Sequence, residues 1–398
     1  MEQLIAKYRF LLAKTRLDFY RFLFPTLSKK AQSWMILGGR GTGKTTLLLQ
    51  FIKTNLDPEK SLYLSLDDLY FSTFGIYETA EKFYHDGGEH LALDEVHKYP
   101  DWQREVKNIL DFLPELKLYL SGSSVLALRK SEADLSRRVL FYELPELSFR
   151  EYLLLYKHID LPVIQAEDII KNHPRISSEF IEILDKPLMH LHSYMQSGIY
   201  PFFQNDEEEY AMRLQQLIKM VIDYDLPEAT QITVGTTHQI KKLLYIISES
   251  VPFMPNISKL SEDLGTTRNR LIELLHLLEA ANLSRNLWSE TKGISLLNKP
   301  EKIYLRNTNF MYALNPQNTN RGNLRETVIL MWLQNAGIPV TYAKKADFFV
   351  YHKWYLEIGG KNKKQKQIAG QENGFLVMDD LPVGFGNKIP LWLWGFLY

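Results

Sequence analysis

Along the first 150 residues, short apolar runs alternate with longer segments compatible with helices. The runs are SWMILG (Ser33–Gly38), SLYLSL (Ser61–Leu66), HLALDE (His90–Glu95), LKLYLSG (Leu116–Gly122) and RVLFYEL (Arg138–Leu144), each starting 20–30 residues after the last. Near-continuous apolar strands between helices predict a parallel sheet covered on both faces. From about Glu151 to Tyr224 the pattern turns helical and irregular, in SSEFIEILDKPLMHLHSYMQ and EEEYAMRLQQLIKMVIDYDL, with a turn at Ser197–Pro201 (SGIYP) between them. From about Thr236 to Leu314, three helical stretches precede two short strands. The last stretch opens on a helix, LRETVILMWLQNAG, and continues in strand-like pieces: ADFFVYH, KWYLEIG, GFLVM and LWLWGFLY. No repeat or low-complexity tract interrupts this order. The expected organisation is an N-terminal helical segment (1–32), an α/β core (33–150), a helical extension (151–234), a helix-rich domain ending in a ribbon (235–318) and a small α/β domain (319–398).

Composition narrows the class. The chain has 398 residues, of which 45% are hydrophobic and 24% charged, as expected of a globular protein with two to three domains. Lys plus Arg and Asp plus Glu both total 47, so any nucleic-acid contact must rest on a local patch rather than on net charge. Cysteine is absent, which excludes disulfides, thiolate zinc sites and thiol catalysis. The opening MEQLIAKYRFLLAKTRLDFYRFLF alternates charge with apolar residues at helical spacing and lacks the features of a signal peptide. No stretch approaches the roughly 20 apolar residues of a membrane span, so a cytoplasmic protein with no membrane partner is the expectation.

The clearest chemistry lies in GGRGTGKTTLLLQ (Gly38–Gln50). Gly38, Gly43, Lys44 and Thr45 satisfy G-x-x-x-x-G-K-[ST], after a strand and before a helix, as a phosphate-binding loop requires. Successive backbone N–H groups from Gly38, Gly39, Arg40, Gly41, Thr42, Gly43, Lys44, Thr45 and Thr46 would face a polyphosphate, reinforced by the positive end of the helix. Lys44 would pair with the β- and γ-phosphates, and the Thr45 hydroxyl would ligate Mg²⁺. The run HLALDEVH then supplies Asp94 for the metal and Glu95 to polarise an attacking water. Having both carboxylates points to hydrolysis rather than binding alone. At the end of the next strand, Ser121 or Ser123 is placed to sense a γ-phosphate or water, although a Ser/Gly turn explains them almost as well. Arg137 and Arg138 precede the fifth run, where a guanidinium could act as an arginine finger in the same or a neighbouring subunit.

Taken together, GGRGTGKTTLL, SLDD, LALDEVHKYPDWQREVKNILDFLPELKLYLSGSSVLAL, RRVLFYELPELSFREY and SGIYPFF resemble a prokaryotic family of AAA-superfamily ATPases, the AAA domain 14 group related to archaeal-type ATPases. The resemblance spans essentially the whole chain and is densest in residues 33 to 152. It implies a P-loop NTPase core, ATP as the nucleotide, and matching roles for Lys44, Thr45, Asp94 and Glu95. Arg138 matches a Gly-Arg motif, with Arg137 standing where that motif has glycine. The resemblance also implies a C-terminal domain of unknown function.

The segment NISKLSEDLGTTRNRLIELLHLLEAANLSRNL reads as a helix-turn-helix turning at Gly265, and LWSETKGISLLNKPEKIYL as the wing of a winged helix. Its second helix offers Thr266, Thr267, Arg268, Asn269 and Arg270 to DNA, yet Glu262, Asp263, Glu273 and Glu279 cancel the charge, so packing or a protein partner is as good a use. The last 75 residues resemble a shrunken restriction-endonuclease-like fold, in which Glu326, Asp347 and Glu357 would be the metal-binding carboxylates. Gly359 occupies the lysine position of E-x-K and Lys361 follows two residues later, so nuclease activity is not expected. Seven lysines between Lys344 and Lys366 form the best nucleic-acid patch, or else a solvated loop. His190 and His192 lack a third ligand nearby and read as structural. Three functions follow: an Mg²⁺-dependent ATPase moving its C-terminal modules, a nucleotide-dependent protein-interaction switch, and an ATP-regulated nuclease, the last disfavoured by the missing lysine. A homo-oligomer is implied only if Arg138 acts across a subunit boundary.

Overall fold

A computed structural model describes the chain except residues 29, 32, 123–134, 136, 203–205, 231, 250–251, 291–298, 319 and 361–369, and it divides into two compact units, Met1–Pro145 and Glu146–Tyr398. In the first unit all five apolar runs form strands: β1 (Ser33–Leu37), β2 (Ser61–Ser65), β3 (His90–Asp94), β4 (Lys117–Gly122) and β5 (Leu140–Glu143). They make one parallel sheet in the order β2-β3-β4-β1-β5, the mixed α/β architecture of a P-loop NTPase. Position explains sequence here. Central β1 is buried at every residue, whereas β5, at the edge of the sheet beside β1, leaves Leu140 52% exposed. The helices α1 (Glu2–Lys14), α2 (Lys44–Asn55), α3 (Ile76–His85) and α4 (Trp102–Phe112) accompany the sheet. Leu4, Tyr8 and Leu12 line one face of α1 at four-residue spacing and pack it onto β2 and α2. Trp34 anchors the core between Phe51 and Tyr119, with ring centroids 5.0 and 4.8 Å away.

This strand order matters for the site. Because β1 is inserted beside β4, the carboxyl ends of β1, β4 and β3 become neighbours, and an open α/β sheet binds its ligands outside such ends.

The second unit begins with a capping box. Ser148 accepts from the Glu151 N–H, Glu151 answers on the Ser148 N–H, and the helix Phe149–Lys157 follows. Helices Ala166–Leu184, Pro187–Ser197 and Glu207–Met220 come next, then Val234–Glu249, Ile257–Asp263 and Arg268–Ala280. The strands β6 (Ser284–Leu287) and β7 (Lys302–Leu305) form an antiparallel ribbon. Helices Thr308–Leu314 and Arg321–Asn335 lead to a mixed sheet of β8 (Val340–Ala343), β9 (Ala346–Val350), β10 (Trp354–Gly359), β11 (Gly374–Met378) and β12 (Lys388–Pro390), ordered β12-β11-β10-β9-β8. One expectation is corrected here. LWLWGFLY is not a strand: Leu391–Phe396 is a 3-10 helix, buried at every residue. A uniformly buried run carries no periodicity by which to choose strand or helix.

A buried polar knot ties the start of this unit to its ribbon and its end. Glu146 receives the Arg306 guanidinium at 2.5 Å and that of Arg285 at 3.3 Å, and Asn335 donates to it at 3.2 Å. The Tyr398 hydroxyl donates to the Glu146 carbonyl at 3.4 Å. Burial alone would raise the Glu146 carboxyl, but Arg306 and then Arg285 outweigh it and bring it from 4.5 down to about 2. A carboxyl depressed in the folded state contributes stability above its unfolded value and loses it as pH falls from about 4.5 through about 2. We expect roughly 3 kcal/mol to vanish over that window, read as a fall in the denaturant midpoint between pH 5 and pH 2.5. Glu146→Gln, destabilised at neutral pH, should show a visibly shallower acid dependence. An equally steep one in the variant would remove Glu146 from the account.

Candidate functional site

The loop after β1 turns because its glycines permit it. Gly41 (φ 77°) and Gly43 (φ 92°) lie in the left-handed region that favours glycine. A Cβ at Gly38 would stand 2.4 Å from the Leu144 carbonyl oxygen, so that position admits no side chain without backbone movement. The turn delivers Lys44 to the start of α2, with Thr45 and the exposed Thr46 following. Lys44 is buried, and its ammonium donates to the carbonyls of Gly38 (3.1 Å) and Gly39 (2.8 Å). Thr42 donates its hydroxyl to Gly39 O at 3.0 Å and closes the loop on itself. Arg40 lies half-buried within the same turn. The buried Arg21 supports the loop: its guanidinium donates to the Thr42 carbonyl and, at 2.8 Å, to that of Pro145.

Asp94, 2% exposed at the end of β3, gathers three hydroxyls. Thr45 and Tyr63 each donate to Oδ2 at 2.7 Å, and Ser121 donates to Oδ1. Burial, and then the Asp94 charge, push the Tyr63 phenol well above its ordinary range, so it remains a donor to this carboxylate at any working pH. The Thr45 hydroxyl and the Asp94 carboxylate are adjacent hard oxygen donors. That set fits Mg²⁺, which takes one or two protein oxygens and shares the rest of its shell with water and substrate phosphates. Among the described residues no cluster of three or more His, Cys, Asp or Glu forms an all-protein metal cage.

Glu95 follows at once in the left-handed conformation (φ 54°), where the chain leaves β3 for a 3-10 turn, Val96–Lys98. Its side chain is 20% exposed, and its Oε2 lies 3.5 Å from Nε2 of the buried His97. The structure therefore gathers Lys44, Thr45, Asp94 and Ser121 around one loop, with Glu95 next along the chain. The Ser121 hydroxyl is directed at Asp94. Ser123 lies outside the described residues. Arg138 pairs with Asp111 of α4, both half-exposed, and Arg137 is exposed beside it. Arg21 and Tyr63 carry no sequence signal of a role here, because only the fold brings their partners to them.

In the second unit the helices Ile257–Asp263 and Arg268–Ala280 are followed by the antiparallel β6–β7 ribbon; residues 291–298 of the predicted wing lie outside the described residues. Thr267 caps the second helix, accepting from the Arg270 N–H at 3.3 Å. Arg270 pairs with Glu273 at 2.8 Å, while Arg268 and Asn269 are exposed. Glu326 and Asp347 do come together, but around an unexpected cation. Lys302 of β7 donates to Glu326 at 2.9 Å and to Asp347 at 3.1 Å, and Tyr304 donates to Glu326 at 2.8 Å. Glu357 is buried on β10, and Lys361, Lys363, Lys364 and Lys366 lie outside the described residues. Burial works against the ammonium, yet Glu326 and then Asp347 hold Lys302 above its ordinary range. Lys302→Ala would leave two carboxylates confined without their cation, and we expect a loss of about 3 kcal/mol in unfolding free energy. Lys302→Arg should recover part of it. A neutral alanine variant would make the cluster incidental.

Residues 30–153 match the family described as AAA domain, and residues 188–321 match a domain of unknown function, DUF8612. The chain is 26% identical over 447 aligned positions to an uncharacterized protein of Methanocaldococcus jannaschii, covering 99% of this chain and 92% of that protein. AMPPCP-bound DnaA from Aquifex aeolicus aligns at 17% identity over 65% of this chain and 84% of its own, with a TM-score of 0.27. A structure describing katanin self-assembly aligns at 11% identity over 55% and 83%, with a TM-score of 0.25. Neither superposition is close enough to argue from. Most of the first unit is thus similar to the AAA domain family, and its sheet and loop are those of a P-loop NTPase fold. Among the described residues, no helix is long and apolar enough to cross a membrane.

Proposed function

We propose that the protein is an Mg²⁺-dependent ATPase whose nucleotide cycle drives the second unit. The observation that carries this reading is the 2.7 Å pairing of Thr45 with Asp94 at the mouth of the phosphate loop, with Glu95 the very next residue. ATP rather than GTP rests on the resemblance to AAA ATPases, since no guanine-reading element stands out in the sequence. The loop N–H groups from Gly38 to Thr46 and the positive end of α2 would receive the phosphates. Lys44 would leave the Gly38 and Gly39 carbonyls to neutralise the β- and γ-phosphates. When bound between Thr45 and Asp94, Mg²⁺ supplies further positive charge to the same oxygens.

Glu95 accepts a proton from a water whose oxygen attacks the γ-phosphorus. The bond to the β–γ bridging oxygen breaks, and ADP and phosphate leave. Tyr63 and Ser121 hold Asp94 in orientation for Thr45, so their role is support rather than contact with substrate.

The output is proposed to pass to the helix-turn-helix and ribbon, read as a winged helix, and to the C-terminal sheet, read as restriction-endonuclease-like. Nucleic acid would be met by Arg268 and Asn269 or by the lysines between Lys344 and Lys366. The second reading is a protein-interaction switch, favoured by the engagement of Arg270 and Thr267 within their own helix. Nuclease chemistry is disfavoured, because Lys302 already pairs with both Glu326 and Asp347. Steady-state hydrolysis with single- and double-stranded DNA and RNA separates these readings. Stimulation by one of them supports a nucleic-acid motor and names its substrate class. Hydrolysis indifferent to all of them moves the output to a protein partner.

A further inference from the structure

The chain leaves β3 by an unusual route. Glu95 takes a left-handed conformation that costs a residue with a Cβ about 1 kcal/mol or more. The next three residues close a single 3-10 turn through Lys98 N–H to Glu95 O (2.9 Å) and Tyr99 N–H to Val96 O (3.2 Å). Together these turns carry residue 97 back toward residue 95. Val96 is fully buried, and the His97 side chain is only 1% exposed beside the Glu95 carboxylate.

Burying an imidazole is costly unless a polar group meets it, and a rigid ring in a packed environment is a fixed reference point. A glutamate side chain is the opposite, with several rotatable bonds whose freedom opposes any single arrangement. A carboxylate that must meet a water in line with a phosphorus gains from being held, because small displacements of a reacting group lower rates steeply. Nε2 and Oε2 lie 3.5 Å apart, a polar contact longer than a tight hydrogen bond. The buried ring gives the carboxylate a fixed neighbour to lie against.

We propose that His97 is a positioning residue for hydrolysis, fixing the direction of the Glu95 carboxylate; the inference rests on the reading of Glu95 as general base. The backbone strain at Glu95 is then the cost of bringing the two side chains together.

The test uses the full chain with Mg²⁺ and ATP. His97→Phe keeps the volume and removes the donor, and should lower kcat by roughly 10–100-fold while KM and nucleotide affinity stay unchanged. His97→Gln, which restores an amide donor, should recover much of the loss. In a Glu95→Gln background, His97→Phe should have no further effect, since a residue acting through Glu95 has nothing left to position. If His97→Phe does not fold, His97→Met takes its place. Unchanged kcat in the donor-less variant overturns the proposal, as do losses that multiply with Glu95→Gln or a loss confined to KM. Unchanged hydrolysis in Glu95→Gln alone would instead overturn the reading of Glu95 itself, and the role of His97 with it.

Discussion

Glu95→Gln is expected to slow ATP hydrolysis by about 10²–10⁴-fold while leaving ATP binding intact. That range corresponds to roughly 2.7–5.5 kcal/mol of barrier, the usual contribution of a well-placed general base. The substitution is nearly isosteric and leaves Asp94, Thr45 and Lys44 in place, so the binding loop and the proposed metal ligands should be unaffected. Glutamine can still orient a water but cannot take its proton. The measurement is single-turnover phosphate release beside an equilibrium titration with a fluorescent nucleotide. A hydrolysis rate within threefold of wild type would remove Glu95 from the mechanism. Loss of binding as well would show that Glu95 shapes the loop.

Lys44→Ala is expected to weaken nucleotide affinity by at least about 100-fold, a difference of some 2.7 kcal/mol. The ammonium is buried and already held within the loop by the carbonyls of Gly38 and Gly39. In that position it needs little rearrangement to meet a polyphosphate, and a compact point charge suits phosphate oxygens. Alanine removes the charge and also two hydrogen bonds that shape the loop, so a small fall in thermal stability should accompany the lost affinity. Isothermal titration with ADP and ATP reads the effect. Affinity within a few fold of wild type would mean that the loop binds phosphate through its backbone alone.

Legibility in the sequence followed the range of the interactions. The five strands of the first unit were readable because each is a continuous apolar run, and Gly38–Thr45 because loop chemistry is local. Asp94 and Glu95 stand at the end of β3 as the run HLALDE predicts, because an apolar run that stops at two carboxylates marks where a strand leaves the core. In contrast, β8 and β12 escaped notice: VTYA is only half-buried, and KIP is three residues long and ends in proline. LWLWGFLY misled because burial on every side erases the distinction between strand and helix.

Arg21, Tyr63 and Lys302 went unseen for a different reason. Their partners lie 21 to 124 residues away, and nothing in a hydrophobic pattern reports such pairings. The E-x-K spacing directs attention to Gly359 and Lys361 for a lysine beside these carboxylates, but the ammonium that meets Glu326 and Asp347 is elsewhere. It comes from the ribbon as Lys302.

The most direct test of the account is steady-state phosphate release from ATP by the wild-type chain, with Mg²⁺ and with excess EDTA, beside Lys44→Ala and Glu95→Gln. The account predicts turnover that requires Mg²⁺ and disappears in both variants, with nucleotide binding surviving only in Glu95→Gln. No Mg²⁺-dependent turnover from a wild-type chain that binds ATP tightly would contradict it and leave the nucleotide-dependent switch as the better description.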